Sequence, residues 1–506
     1  MNSQILLAEL LDGLVDSDGF NRELLQVAVT GVQLDSRLLC SGDLFLACFG
    51  KNHDARDFIN DAIAMGVAAV VAESGGAYSG VRLVGGVPVV AVDNLSAKLS
   101  EIASRFYKRP SEKLSVIGIT GTNGKTSCSQ FVADALTKFE RRCGIIGTLG
   151  YGVQGELKET QLTTPDAVFT QMALGKMAQR GVDPVVMEVS SVGLHQKRVK
   201  AVDFEIAVFT NLSRDHLDYH ENMDAYGECK KKLFTMPGLK RAVVNLDDPY
   251  SLSILNSISS DVDISTFSLK NKIASVYATE LEFTREGYRA CISTPIGNGE
   301  IGGALLGSFN FSNVLAVIAT LISYLQDSDV DPKKLFGAVS SLKPVTGRME
   351  IVGGSESDVT AVVDYAHTPD GLKSALVALR EHYSGDVWCV FGCGGNRDSG
   401  KRPLMGEVAE DYADNVVLCD DNPRKEDGDD IVSHIMSGIE NHSKVIIERD
   451  RARAIANTIS MAKPGDVVLV AGKGHETYQD VADKKMLFSD ANHVRLALQS
   501  RAENSQ

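Results

Sequence analysis

Short, nearly unbroken apolar runs punctuate the chain, and between them apolar positions recur at helical spacing. Residues 114–119, 185–189, 206–209 and 242–245 are such runs in its middle; 359–365, 387–391, 416–418 and 467–471 repeat the pattern near its end. A strand that reads as continuously apolar is buried on both faces, as in a parallel sheet covered by helices. After the first run, Phe131, Ala135 and Leu136 share one helical face. Residues 1–109 hold shorter runs with turn signals, such as Val87-Pro88-Val89-Val90-Ala91-Val92. Two proline-bearing stretches, Lys108-Arg109-Pro110-Ser111 and Leu342-Lys343-Pro344, read as boundaries. The expectation is an α/β protein of three domains: a small N-terminal α/β domain (1–109), a central α/β domain with a mostly parallel sheet (110–343) and a C-terminal Rossmann-like α/β domain (344–506). A length of 506 residues suits about three such cores.

Hydrophobic residues at 44% and charged residues at 23% are ordinary for a soluble globular protein. The net charge of −15 argues against a nucleic-acid partner, because so acidic a chain gains little from counterion release. The nine cysteines are scattered, and none forms a Cys-x-x-Cys pair. Cys389 and Cys393 lack a second ligand pair, so reduced thiols in a cytoplasmic protein are expected rather than a zinc site. Glu9, Asp12 and Asp16 without a basic leader do not resemble a signal peptide, and no apolar run approaches the roughly 20 residues that span a bilayer. The expected protein is a monomer with no stable membrane association.

The stretch Gly118-Ile119-Thr120-Gly121-Thr122-Asn123-Gly124-Lys125-Thr126-Ser127 changes the picture most. Strand, glycine-rich turn, Gly-Lys-Thr and helix make a P-loop-type phosphate cradle. Backbone N–H groups and a helix N-terminus face the anion, Lys125 adds a full positive charge, and the Thr126 hydroxyl can hold Mg²⁺. Two residues separate Gly121 from Gly124, and five separate Gly118 from it, unlike the common nucleotide loop with four.

Other polar clusters follow the apolar runs. Glu188, at a strand end beside the cradle, suits Mg²⁺, although an isolated strand-end glutamate is commonly structural. Residues 211–220 pack Arg214, Asp215, His216, Asp218 and His220 into one loop, with His216 a candidate ligand for a second metal. Asn310 and Asn313 fall on one side of a helical first turn, where they suit an adenine edge or serve as caps. The last segment carries four clusters at strand ends: Asp364-Tyr365-Ala366-His367, Gly394-Gly395-Asn396-Arg397-Asp398, Asp421-Asn422-Pro423-Arg424 and Gly472-Lys473-Gly474-His475-Glu476. Arg397 and Arg424 beside Glu476 suit a zwitterion, the arginines for carboxylates and the glutamate for an ammonium.

Gly121 to Thr126, with Glu188-Val189-Ser190-Ser191, Asp215-His216-Leu217-Asp218 and the pair Asn310 and Asn313, resembles the Mur ligase family over nearly the whole chain. Leu34-Asp35-Ser36-Arg37 and Gly347-Arg348-Met349-Glu350 belong to the likeness, and Asp421-Asn422-Pro423-Arg424 resembles the signature of members that add meso-diaminopimelate. The resemblance implies UDP-binding, ATP-binding and amino-acid-binding domains in that order. It assigns Leu34, Ser36, Lys51, Asn52 and His53 to the UDP moiety, and Thr163, Thr164, Ser190, Gln196 and Arg198 to the muramyl-dipeptide arm. Gly121, Thr122, Asn123, Gly124, Lys125, Thr126, Ser127, Asn310, Asn313, Arg348 and Asp364 would hold ATP. Thr126, Glu188, His216 and Lys230 would serve Mg²⁺, with Lys230 carbamylated by CO₂. Lys125, Glu188, His216 and Lys230 form the implied catalytic set, although Lys230 opens a Lys-Lys-Lys run that otherwise reads as a solvated face. Arg397, Asp421, Asn422, Pro423, Arg424, Gly472 and Glu476 would bind diaminopimelate. His53, Val192 and Asn396 depart from the family's usual residues.

The implied activity is ATP-dependent joining of meso-diaminopimelate to the D-Glu γ-carboxylate of UDP-N-acetylmuramoyl-L-Ala-D-Glu through an acyl phosphate. The rivals are the same reaction with L-lysine, a folylpolyglutamate synthetase-like ligase and a nucleotide-switched binding protein. Arg424, the Asp35-Ser36-Arg37 segment and the retained Lys125, Glu188, His216 and Arg424 respectively argue against them.

Overall fold

The computed structural model describes residues 4–15, 22–50, 53–326, 330–353 and 357–504. Three large sheets follow one another along the chain. The first has five strands in the order Gly31–Gln33, Asp43–Ala47, Ala69–Glu73, Val87–Val92 and Val81–Val84. All its pairs are parallel except the last.

The second sheet has ten strands. From Gly144–Gly147 it runs through Val185–Glu188, Val116–Thr120, Phe204–Phe209, Arg241–Asn245 and Asp263–Ser268 to Val276–Thr284, all parallel. Each strand's pleat divides its side chains between two buried faces, so the run reads as continuously apolar. Ile117, Ile119, Ile206 and Val208 enter a core with the helices Lys125–Thr137 and Ser308–Leu325. Val116, Phe204, Ala207 and Phe209 enter another with Leu174 and Met177 of the helix Ala167–Gln179.

The expected mostly parallel sheet is therefore present, but with antiparallel additions. Gly150–Val153 closes one edge, and Gly287–Ser293 and Gly299–Gly303 extend the other beyond Val276–Thr284. These strands are only partly buried, and a strand with one wet face has no continuous apolar run to betray it. The helix Ser308–Leu325 is long and apolar enough to cross a bilayer, which the sequence reading did not anticipate; 72% of it is buried, as befits a core helix.

The third sheet orders its six strands Glu350–Val352, Thr360–Asp364, Val467–Ala471, Val387–Phe391, Asn415–Leu418 and Val445–Ile447. All but the first pair are parallel. The carboxyl ends of its four central strands therefore share one edge, where open α/β sheets bind ligands. All four polar clusters of the last segment lie there.

A buried ion pair locks this sheet's flank. Arg451, opening the helix Arg451–Met461, donates from Nε and Nη2 to Asp490 at 2.7 Å each, and from Nη2 to the Ala471 carbonyl at 2.9 Å. Both side chains are fully buried. Asp490→Ala leaves the guanidinium unpaired and is expected to cost about 3–5 kcal/mol, read as a lower midpoint of urea unfolding. The double variant Arg451→Met/Asp490→Leu should recover most of that loss; a single-variant loss under about 1 kcal/mol would remove the pair from the fold's essentials.

Candidate active site

The phosphate loop begins at the end of the strand Val116–Thr120 and is held from the end of the neighbouring strand Phe204–Phe209. Thr122 N–H donates to the Asn211 carbonyl at 2.9 Å, Asn123 N–H to Asn211 Oδ1 at 2.8 Å, and Thr210 Oγ1 to the Asn123 carbonyl at 2.6 Å. Gly121 passes so close to this support that a Cβ would lie 1.9 Å from Thr210 Oγ1. The helix Lys125–Thr137 starts immediately after Gly124 and points its N-terminus into the cleft.

Two lysines converge on one carbonyl. Lys125 Nζ donates to the Gly121 and Thr122 carbonyls at 2.8 Å, and Lys230 Nζ donates to the Gly121 carbonyl at the same distance. Lys230 is 1% exposed and sits 4.3 Å from the Tyr226 ring centroid, whereas Lys231 is half-buried and Lys232 exposed. The solvated-face reading of the lysine run thus fails at its first member. Burial, with Lys125 nearby, holds the Lys230 pKa well below its ordinary value; burial also lowers that of Lys125.

Glu188 is fully buried at the end of its strand. Its Oε2 accepts from Thr126 Oγ1 at 2.9 Å and Thr148 Oγ1 at 3.1 Å, and its Oε1 from Thr148 N–H at 2.8 Å. Thr163 Oγ1 is 3.0 Å from Thr148 Oγ1. Of the dense loop, Asp215 and His216 line the cleft with Glu188 and Ser190. Arg214 lies 4.0 Å from Asp398, and His220 turns inward to Ser191 Oγ at 2.9 Å.

The third sheet supplies the opposite wall of this cleft, which holds about 380 Å³. Arg348 donates to Thr126 Oγ1 at 3.3 Å and stacks 4.3 Å from the Tyr365 ring centroid. Asp364 accepts from the Met349 and Ala366 N–H groups at 2.7 and 2.8 Å. Burial pushes its pKa up despite Arg348 nearby. Asn123 Nδ2 reaches across to Asp370 at 3.2 Å. Asn313 lines the cleft, while Asn310 turns its Nδ2 back to the Leu306 carbonyl at 2.9 Å.

Beside this wall the remaining clusters meet. Arg424, at φ 52°, donates from Nη1 to the Gly395 carbonyl at 2.8 Å and has Nε 3.8 Å from Asp480. A Cβ on Gly394 would lie 2.9 Å from Arg424 Nη1 and 3.7 Å from Arg397 Cγ, so both arginines flank one backbone position. The Pro423 carbonyl packs so closely on Gly395 that a Cβ there would lie 1.9 Å away. Asn422 Nδ2 donates to Glu476 Oε2 at 2.9 Å, and Asp421 lies under Gly472. Burial raises the Asp421 pKa.

The residues expected to meet UDP stand on the first sheet, outside this cleft. Leu34 packs against the N-terminal core, and Ser36 opens a turn in which Asp35 grips Arg37 through Nε and Nη2 at 2.9 and 2.6 Å. His53 is exposed; Lys51 and Asn52 lie outside the described residues. The residues expected to meet the dipeptide arm are linked by bonds from Ser190 N–H to Thr164 Oγ1 at 2.9 Å, Arg198 Nη1 to the Thr164 carbonyl at 2.6 Å and Arg198 Nε to Gln196 Oε1 at 2.9 Å. Thr148, Asn211 and Lys473 were not singled out as site residues from the sequence. Asn211 and Lys473 fall within polar clusters of the sequence, whereas Thr148 falls in none. Among the described residues, no three His, Cys, Asp or Glu side chains converge as a metal cluster.

With this geometry in hand, comparisons with known proteins place the chain. The Mur ligase family catalytic domain matches residues 28–107, the Mur ligase middle domain 119–321, and the Mur ligase glutamate ligase domain 347–474. The UDP-N-acetylmuramoyl-L-alanyl-D-glutamate–2,6-diaminopimelate ligase of Coxiella burnetii is 44% identical over 476 residues, covering 93% of this chain and 96% of that protein. The protein of the same name from Pseudomonas aeruginosa is 46% identical over 468 residues, covering 92% and 94%. A solved structure of a ligase of that name matches with a TM-score of 0.69 at 34% identity, covering 99% of this chain and 100% of the other. The chain belongs to the Mur ligase family.

The seam between the cleft wall and the last cluster makes a sharp prediction. Gly347, at φ 68°, touches the loop 472–476 so closely that a Cβ would lie 2.1 Å from the His475 backbone nitrogen. Gly347→Ala is expected to destabilise the protein by ~2 kcal/mol or more, seen as a lower Tm. An unchanged Tm would mean that the seam opens without cost.

Proposed function

We propose that this chain is the ATP-dependent ligase that adds meso-diaminopimelate to UDP-N-acetylmuramoyl-L-Ala-D-Glu in cytoplasmic peptidoglycan precursor synthesis. The observation that carries the reading is the meeting of a phosphate cradle with a cluster of arginine, asparagine and acid at the adjoining sheet edge. In this reading the D-Glu γ-carboxylate attacks the ATP γ-phosphorus, ADP leaves and an acyl phosphate forms. Lys125 stabilises the charge that moves toward the leaving phosphate. The amine of diaminopimelate then attacks the acyl carbon, loses a proton and displaces phosphate. Asn123 with Asp370, and Arg348 with Thr126, draw the two walls together and help keep water from the acyl phosphate.

Thr126 and Glu188 are hard oxygen donors 2.9 Å apart and fit a Mg²⁺ ion, with His216 lining the same cleft. Bound there, the ion would neutralise phosphate charge. Lys230 as an ammonium cannot be a ligand. Burial and the nearby Lys125 lower its pKa and so ease loss of the proton to give the neutral amine, the form that adds CO₂ to become an anionic oxygen donor. The UDP and dipeptide-arm roles of Leu34, Ser36, Thr163, Thr164, Ser190, Gln196 and Arg198 belong to the same reading.

Arg424 decides the acceptor. Diaminopimelate carries a second carboxylate that a guanidinium grips bidentately, and lysine offers nothing in its place. A site built for such a contact rejects the analogue lacking it by on the order of 10⁴-fold.

The direct test supplies ATP, Mg²⁺, UDP-N-acetylmuramoyl-L-Ala-D-Glu and an equal mixture of meso-diaminopimelate and L-lysine, and reads the product mass. A product carrying diaminopimelate alone is expected, and a lysine product would overturn the selectivity argument. Arg424→Ala should cut kcat/KM for diaminopimelate by about 100-fold or more, with the KM for ATP little changed. Lys125→Ala should lower turnover by about 10³-fold or more, and near-normal turnover would remove the cradle from catalysis.

A further inference from the structure

Lys473 lies in the middle of the last cluster and has no task in the reading above. It follows the strand Val467–Ala471, and its side chain is entirely shielded, at 0% exposure. Its Nζ donates to Asn422 Oδ1 and to Glu476 Oε2, each at 2.9 Å, and lies 3.7 Å from Asp421 Oδ1. Asn422 in turn donates to the same Glu476 oxygen at 2.9 Å, and its Oδ1 also accepts from Asp480 N–H at 2.9 Å. Both bonds to Glu476 therefore land on Oε2 and leave Oε1 to other partners.

Burying an ammonium is costly, and an apolar side chain of similar size would hold a loop with less penalty. The three partners of this ammonium, Asp421, Asn422 and Glu476, are all among the side chains assigned above to the acceptor amino acid. We propose that Lys473 is a positioning residue of the acceptor site: its buried ammonium fixes the Glu476 carboxylate and the Asn422 amide in the orientation that receives the incoming amino acid. The proposal rests on reading residues 397, 421–424 and 472–476 as that acceptor site.

The electrostatics agree. Burial alone would raise the Glu476 pKa, but Lys473 and the Asn422 amide hold it below its ordinary value. Glu476 is faced by Lys473 and His475 from its own loop, by Asp421 and Asn422 from the loop after Asn415–Leu418, and by Tyr365 from the end of Thr360–Asp364. Without the ammonium the carboxyl takes up its proton at higher pH. The acidic limb of kcat/KM for the acceptor then moves to higher pH.

The test uses the full chain as Lys473→Met, Lys473→Gln and Glu476→Gln. Lys473→Met is expected to raise the acceptor KM by about 10- to 100-fold, with the KM values for ATP and the UDP substrate within about twofold of the parent. Its acidic limb should move up by about one pH unit. Hydroxylamine trapping of the acyl phosphate needs no acceptor site, so hydroxamate should form at nearly the parental rate. An acceptor KM within about twofold of the parent, or an unmoved acidic limb, overturns the proposal. If the methionine variant does not fold, Lys473→Gln decides: it keeps a donor but not the charge, so the same limb shift supports the proposal and its absence refutes it. An unchanged acceptor KM in Glu476→Gln would instead refute the acceptor-site reading on which the proposal rests.

Discussion

Two lysine side chains, Lys125 and Lys230, sharing the Gly121 carbonyl set the terms for the active-site region. Burial disfavours the charge on both, while Asp215 near both and Glu188 near Lys125 favour it. The surrounding fold supplies that tension. The strand ending at Thr120 is flanked by those ending at Glu188 and Phe209, so the loop receives a carboxylate from one side and backbone anchors from the other. A chain with a net charge of −15 thus keeps Lys125, Lys230 and Arg348 together beside its phosphate loop.

Much of this was legible in advance because buried parallel strands write themselves as apolar runs, and ligand-facing residues follow their carboxyl ends. The phosphate loop, Glu188, Asp215 and the four clusters of the third sheet all stand there. Other features leave no local pattern. The antiparallel strands 276–303 have wet faces and no apolar run. Lys230 looks like its neighbours, the half-buried Lys231 and the exposed Lys232, because only the fold brings Tyr226 and Gly121 over it. Asn310 and Asn313 share a helix face but divide their work, one toward the cleft and one toward its own backbone. The bridge from Asn123 to Asp370 joins residues 247 positions apart, a separation at which pattern carries nothing.

The cleft and the last cluster are close mechanical neighbours. Arg348 leans on Thr126 on one side and on Tyr365 on the other, and the Tyr365 ring lies 5.2 Å from that of His475. Gly347 meets the backbone of the same loop. Arg348 is thus joined to residues 472–476 by packed rings and touching backbone.

The phosphate cradle hangs on the second sheet, while Arg397, Arg424, Lys473 and Glu476 hang on loops of the third. That separation makes the molecule modular in an evolutionary sense. Loop replacements at the edge of one sheet redirect what is joined and leave untouched the machinery that activates the carboxylate. A lineage built on this plan diversifies its building blocks without reinventing how a peptide bond is energised.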